Sequence, residues 1–360
     1  MTCLTFCMLE VGCKLAFVYN RRIEFCIMDN KIKKAIDRRL CVAPMMDWTD
    51  RHCRVFHRHL VPDALLFTEM VTAEAIIHGN LDRLLGHDAV EHPLVLQLGG
   101  SQPDRLAMAV ERAAGRGFCE INLNVGCPSD RVQSGRFGAC LMAEPQLVAD
   151  CCRAMIASSG LPVSVKCRIG IDDMDPEIGL DHFVDLVADA GVNVVYLHAR
   201  KAWLKGLSPK ENRDIPPLDY DRARRLAARR NDLSIILNGG LETAEQINAE
   251  ADNFAGVMLG RAAYRTPYLL TAIAKDFFAI QPPNRCQVAQ AMADYADRMT
   301  KQEVPLHSIT RHMLGLYAGQ RGARHWRRRL GEQARLADHA GAFIRKACDE
   351  CEALAAQIAA

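Results

Sequence analysis

From residue 40 onward the chain alternates short, almost continuously apolar runs with segments whose apolar residues recur at helical spacing. The runs are "LCVAPMM" (40–46), "ALLFTEM" (64–70), "PLVLQLGG" (93–100) and "FCEINLNVG" (118–126). They continue with "PVSVKCRIG" (162–170), "NVVYLHAR" (193–200), "SIILNGG" (234–240) and "GVMLGRAAY" (256–264). Between them lie stretches such as "PDRLAMAVERAAGRG" (103–117) and "DHFVDLVADAG" (181–191), helical in period and ending in glycine. Strands this apolar are covered on both faces, which calls for a parallel sheet flanked by helices. Eight such units within residues 37–280 predict a closed (β/α)8 barrel of the TIM type. An open doubly wound sheet is the alternative, but the first run carries no G-x-G-x-x-G. A barrel performs its chemistry at the C-terminal ends of its strands. The polar residues gather there: Asp47, Glu69, Gln97, Asn122, Asn124, Lys166, Arg168, His198, Arg200, Asn238 and Arg261.

After residue 280 the pattern changes. "QPPN" (281–284) reads as a linker, and residues 285–360 show only helical periodicity, which predicts a small all-α C-terminal domain. Residues 1–36 read as an N-terminal extension to the barrel. Glu10, Lys14, Arg21 and Arg22 break every apolar run there before it could span a bilayer, and no signal-peptide order appears. Met28 opens a conventional polar start, so the expectation is a mis-assigned start codon.

Composition narrows the class. With 360 residues the chain has length for a sizeable core, and 49% hydrophobic with 24% charged residues is ordinary for a globular protein. A net charge of +2 gives no global basic field, so any nucleic-acid signal has to be local. Fifteen cysteines at irregular spacing do not make a secreted disulfide scaffold and fit a reducing cytoplasm. The lone C-x-x-C, Cys348 and Cys351, sits in the helical "KACDECEAL" and reads as packing, so no metal site is expected.

Four constellations carry candidate chemistry. "NGG" at 238–240 and "GR" at 260–261 follow the seventh and eighth strands, where barrels often hold phosphate. Glycine there lets backbone N–H groups approach an anion, and Arg261 offers a fork for its oxygens; ordinary βα turns are the bland alternative. Lys166 and His198 leave strands five and six, and with Gln97 they suit an anionic planar cofactor such as a flavin. They also suit a solvated rim charge and a core histidine. Cys127 stands directly before Pro128, where the fourth apolar run stops. A thiol there is open to three roles: nucleophile, proton donor or packing residue. An ordinary thiol, with a pKa near 8.5, keeps its proton at neutral pH and has one to give. The following "SDRVQSGRFGAC" (129–140) reads as a flexible loop able to close over a substrate. Finally, residues 306–331 contain six arginines, three histidines, a Trp, a Tyr and no acidic residue. That pattern reads as a surface for a phosphate backbone, where a plain charged helix face would mix in Asp or Glu.

Together "APMMDWTDRHCR", "QLGGS", "EINLNVGCPSDRVQSGRFGACLM", "VKCRIGID", "LHAR", "ILNGG" and "MLGRAAY" resemble the tRNA-dihydrouridine synthases. "KAWLKGLSPKENRDIPPLDY" and "RGARHWRRRL" resemble the family's subfamily A. The resemblance spans roughly residues 38–345 and leaves out the first 27. It implies a barrel that binds FMN and uses NADPH to reduce the C5=C6 bond of uridines 20 and 20a in the tRNA D-loop. By the same resemblance, FMN contacts fall on Pro44, Met45, Met46, Gln97, Lys166, His198, Asn238, Gly239, Gly240, Gly260 and Arg261. Cys127 matches the proton donor, and Asn124 a position near the target uridine. Lys210, Arg213, Arg324 and Arg327 match tRNA-orienting positions. Hydride would reach C6 from one face of the uracil and a proton C5 from the other, which gives a thiol on a rigid turn its use. The base must leave its loop to arrive there.

Two other readings compete. A flavin barrel acting on a free pyrimidine, a dihydroorotate-type dehydrogenase, explains Cys127 and the cofactor residues but not the basic C-terminal stretch. An RNA-binding module on an inactive barrel explains that stretch but not Lys166, His198 and Cys127 together. No membrane and no obligate protein partner is expected.

Overall fold

The computed structural model describes residues 36–356, so the N-terminal extension and its start lie almost wholly outside the described residues. Nine strands form one parallel sheet: β1 (Leu40–Val42), β2 (Leu66–Phe67), β3 (Val71–Thr72), β4 (Leu94–Gly99) and β5 (Glu120–Val125), then β6 (Val163–Arg168), β7 (Val194–His198), β8 (Ser234–Asn238) and β9 (Gly256–Leu259). The order is β1-β9-β8-β7-β6-β5-β4-β2, with the two-residue β3 paired to β4 beyond β2. A parallel bridge from Cys41 to Leu65 joins the two ends. Val42 N–H donates to Leu65 O and Leu65 N–H to Leu40 O, each at 2.9 Å. The sheet thus closes into an eight-stranded barrel, as the eight apolar runs predict, with β3 as the one strand they do not announce.

The strands are short, nearly all buried, and rich in Val, Ile and Leu, which is what closure demands of a wall covered by helices. Their side chains alternate between an outer layer packed under the helices and an inner layer filling the barrel. On β5 the inner set is Glu120, Asn122 and Asn124; on β6 it continues through Ser164, Lys166 and Arg168, with every one of these except Lys166 buried. The barrel interior is therefore polar from floor to mouth along this side.

Among the described residues, only helical elements follow residue 280. Helix Arg285–Thr300 starts with a capping box between Asn284 and Gln287 and packs along helix Ala340–Ala356. It also packs against helix Arg51–Leu60. His52 Nδ1 meets Tyr295 Oη at 2.7 Å. Burial pushes the pKa of the His52 imidazole down to about 4. Further along, His312 Nε2 lies 2.9 Å from Asp50 Oδ2, and Asp50 in turn caps the N-terminus of Arg51–Leu60. The helical region is thus built onto the barrel through paired polar groups rather than hung from a loose linker.

The basic stretch 306–331 divides by side. Trp326 and Tyr317 face inward, and Trp326 Nε1 donates to Met313 O at 2.7 Å. Its aromatics therefore form core, not an exposed stacking surface. Arg321, Arg324, Arg327 and Arg328 are exposed. Among the described residues, none pairs with Arg324 or Arg327.

Candidate active site

A cleft of about 500 Å³ opens at the C-terminal ends of the strands, a size ordinary for a small-molecule site. It collects Pro44, Met45 and Met46 from the β1 exit, Gln97 from β4, Asn124 and Cys127 from β5, and Lys166 and Arg168 from β6. His198 from β7, Asn238, Gly239 and Gly240 from β8, and Gly260 and Arg261 from β9 complete the ring, with Arg213 at its edge. Parallel pairing sets these side chains level with one another: Asn124 opposite Lys166, Arg168 opposite His198, and His198 opposite Asn238. Lys210, Arg324 and Arg327 lie outside this lining; Lys210 sits in the exposed turn that leads into Arg213.

One wall is cationic. Lys166 Nζ donates to Asn238 Oδ1 at 2.9 Å, and burial lowers the lysine pKa to about 8, with Arg168 adding to the effect. Burial, reinforced by Arg168 and Lys166, holds His198 well below its ordinary value, so the imidazole is neutral at physiological pH. Among the described residues its buried Nδ1 has no hydrogen-bond partner. Beside it, Gly239 (φ 109°) and Gly240 (φ 68°) hold backbone that other residues rarely adopt, and a Cβ on Gly239 would sit 3.2 Å from His198 Nε2. Arg261 Nη1 pairs with Asp214 Oδ1 at 2.7 Å at the mouth. This wall of the cleft therefore combines positive charge with backbone that can be approached closely.

The other wall carries the thiol. Cys127 N–H and Gly126 N–H donate to Asn124 Oδ1 at 3.0 and 3.1 Å, which ties the turn back to its own strand. Arg168 Nε donates to Gly126 O at 2.9 Å, and its Nη1 to Lys201 O and Asn212 O at 3.0 Å each. Arg168 therefore joins the cysteine turn to the loop that bears Lys210 and Arg213. The segment expected to be a flexible loop is folded: Asp130–Ser134 is a helical turn, and Gln133 Nε2 donates to Pro128 O and Leu204 O. Ala139 N–H closes it onto Cys127 O at 2.9 Å. Gly138 (φ 77°) is required there, since a Cβ would meet Cys127 O at 2.5 Å.

Residues 41–357 match the family model described as dihydrouridine synthase (Dus). The chain belongs to the dihydrouridine synthase family. It is 53% identical over 322 residues to the tRNA-dihydrouridine(20/20a) synthase of Xanthomonas campestris pv. campestris, covering 89% of this chain and 96% of that protein. The enzyme of the same name from Vibrio vulnificus is 53% identical over 299 residues, covering 82% and 91%. That from Escherichia coli O6:H1 is 51% identical over 302 residues, covering 83% and 91%. Among solved structures, the old yellow enzyme homologue from Zymomonas mobilis superposes with a TM-score of 0.50 at 12% identity, covering 69% of this chain and 91% of that one. At that identity the likeness speaks for the barrel alone. Membership makes the protein an enzyme, a flavin-dependent oxidoreductase.

Several residues of this dihydrouridine synthase have roles that the sequence does not single out. Arg168 reads there as one strand-end polar residue among many, and its three carbonyl partners are separated from it by 33 to 44 residues. Trp48 lines the cleft and stacks on Tyr264, ring centroids 4.4 Å apart and 16° from parallel. Cys348 faces Cys286 with the sulfurs 2.8 Å apart, and Glu352 completes a group whose ligand atoms lie within 4.8 Å of one another. The C-x-x-C spacing could not reveal it, because Cys286 is 62 residues away. For Glu120 a signal does exist: the strict polar–apolar alternation of "EINLNV" within a buried strand.

Proposed function

We propose that this enzyme reduces the C5=C6 bond of uridines 20 and 20a in the D-loop of tRNA to dihydrouridine, in the cytoplasm, with FMN as bound cofactor and NADPH as reductant. The observation that carries the reading is the pairing of two walls across one cleft: a cationic cradle on β6–β9 and a thiol turn on β5. The cradle fits FMN on its own chemistry. Lys166 and Arg261 offer cations, Gly239, Gly240 and Gly260 allow close backbone approach, and His198 lines the same wall. Pro44, Met45, Met46, Gln97 and Asn238 fill out its lining. FMN bound there, once reduced by NADPH, supplies the hydride.

The chain's own residues do the rest. Asn124 fixes the turn so that Cys127 stands at the rim of the cleft, where its thiol gives a proton to C5 of the uracil. Asn124 also lies beside the position of the target base. Lys210 and Arg213 border the approach, and Arg324 and Arg327 meet the tRNA phosphates and set which nucleotide arrives. Three features support the tRNA substrate: the names of the relatives, the unpaired arginines of the helical region, and a cleft open enough for an extruded base.

The test is direct. Purified protein should be yellow, bleach with NADPH, and recover its colour on adding unmodified tRNA, with dihydrouridine then found at positions 20 and 20a. Reoxidation by a free pyrimidine and none by tRNA would instead establish the dehydrogenase reading.

A further inference from the structure

We propose that Glu120, Ser164 and Asn122 are positioning residues for Cys127, acting through a one-way chain of hydrogen bonds that runs through the barrel interior. The inference rests on Cys127 as proton donor and assigns its support. Cys127 N–H donates to Asn124 Oδ1 at 3.0 Å, and Asn124 Nδ2 donates to Gln97 Oε1 at 2.9 Å. Gln97 Nε2 then donates to Asn122 Oδ1 at 2.8 Å, and Asn122 Nδ2 to Ser164 Oγ at 2.8 Å. Ser164 Oγ closes the chain by donating to Glu120 Oε1 at 2.5 Å. Tyr196 Oη donates to the same oxygen at 3.0 Å, and Arg38 pairs with the other at 2.5 Å.

The polarity of this chain is forced at both ends. A backbone N–H only donates, and a carboxylate paired with arginine only accepts, so each amide between them has one permitted orientation. Turning any one of them would set donor against donor among side chains that have little access to water, since Gln97, Asn122, Asn124, Ser164 and Glu120 are all buried. Each bond polarises the next in the same sense. Glu120, on the barrel floor, therefore dictates that Asn124 shows its carbonyl oxygen, not its amide, to the cysteine turn. The period of two along β5 makes this possible, for Glu120, Asn122 and Asn124 rise on one face towards the mouth.

Ser164→Ala cuts the chain between Asn122 and Glu120 and leaves the Arg38–Glu120 pair in place. Ser164→Thr restores a hydroxyl. Ser164→Cys keeps the volume with a weak donor, and serves as the cutting variant should alanine fail to fold. On the full chain loaded with FMN, four quantities are measured: flavin content, bleaching by NADPH, reoxidation by tRNA, and the iodoacetamide labelling rate of the Cys127 peptide. The cut variant should bleach at the wild-type rate but reoxidise roughly 3- to 10-fold more slowly, the scale of one net hydrogen bond. Cys127 should label about threefold faster or more as its turn loosens, and Ser164→Thr should return both values towards wild type. Wild-type reoxidation and labelling in the cut variant, or defects that threonine does not restore, would overturn the proposal. Should tRNA fail to reoxidise even the wild-type flavin, the tRNA reading falls and the labelling comparison alone decides the chain: accelerated labelling upholds it and unchanged labelling refutes it.

Discussion

Lys166 on β6 spans β7 to place its Nζ 2.9 Å from Oδ1 of Asn238 on β8. The hydrogen bond fixes a single ammonium at the centre of the cationic wall, under conditions that make its charge sensitive to pH. Burial, then Arg168, lowers its pKa to about 8. It is still mostly protonated at pH 7 and loses its charge as pH rises to 9. Affinity of the apo-protein for FMN should therefore fall across that interval, and Lys166→Met should have weaker binding with the pH dependence flattened. Titration of apo-protein with FMN by fluorescence at pH 7, 8 and 9 reads both effects.

The same shift has a sign in folding. An unfolded lysine titrates near 10.4, so between about pH 8 and 10.4 the unfolded chain holds the proton that the folded apo-protein has released. Stability from this group rises with pH across that window, because the cost of burying the charge disappears. An anionic cofactor raises the folded pKa and should narrow the effect. Denaturant midpoints of apo- and FMN-loaded protein, compared at pH 8 and 10 with Lys166→Met as the reference, check the direction.

Arg261 begins the short helix after β9 and is held at the mouth by Asp214. As the proposed phosphate ligand it supplies a charge-assisted hydrogen bond of about 1.5–3 kcal/mol, so Arg261→Ala should raise the FMN Kd roughly 10- to 100-fold. The barrel should remain folded, since Arg261 lies at the rim and outside the buried core. Full flavin content after dialysis of the variant would remove Arg261 from the phosphate site.

The apolar runs of the sequence disclose the barrel because its walls are buried on both faces, so apolar residues dominate most strands even where β4, β5 and β6 carry polar inner side chains. They also disclose the mouth, since every strand exit carries a polar side chain. What they cannot disclose depends on partners far apart in the chain. Trp326 reads as a surface aromatic among arginines, yet it is fully buried, because helix Ala340–Ala356 closes over its face. Glu120 looks like an isolated charge in a strand until Ser164, Tyr196 and Arg38 surround it. The segment after Cys127 is small and polar enough for a free loop, and only Leu204 O and the Ala139 N–H show it pinned.

Arg324 and Arg327 are, with Arg328, exposed charges of helix Ala323–Arg328 that pair with no other described residue. Replacing both with Ala should weaken tRNA binding and lower the salt slope of log K by about one unit for each phosphate left without its arginine. Trp326 stays buried between them, so the fold should survive. Filter binding at several salt concentrations gives the slope, and an unchanged slope would take this surface out of the tRNA interface.

Cys127 separates into three roles by experiment. Its amide is tied to Asn124, its carbonyl to Ala139, and its Sγ lies 3.5 Å from Ser129 Oγ, so the backbone is fixed without help from the thiol. Cys127→Ala should therefore fold, retain FMN and bleach with NADPH at the normal rate, because none of these uses the sulfur. As the proton donor it should nonetheless be indispensable to the second half-reaction. Reoxidation by tRNA should slow by roughly 10²–10⁴-fold, the range of a positioned general acid. A packing role would appear instead as a lower melting temperature with activity per folded molecule intact, and a cofactor role as loss of colour. Measuring flavin content, bleaching and reoxidation on one preparation distinguishes all three. Wild-type reoxidation kinetics in the alanine variant would exclude the thiol as the acid and return the proton to another group in the cleft.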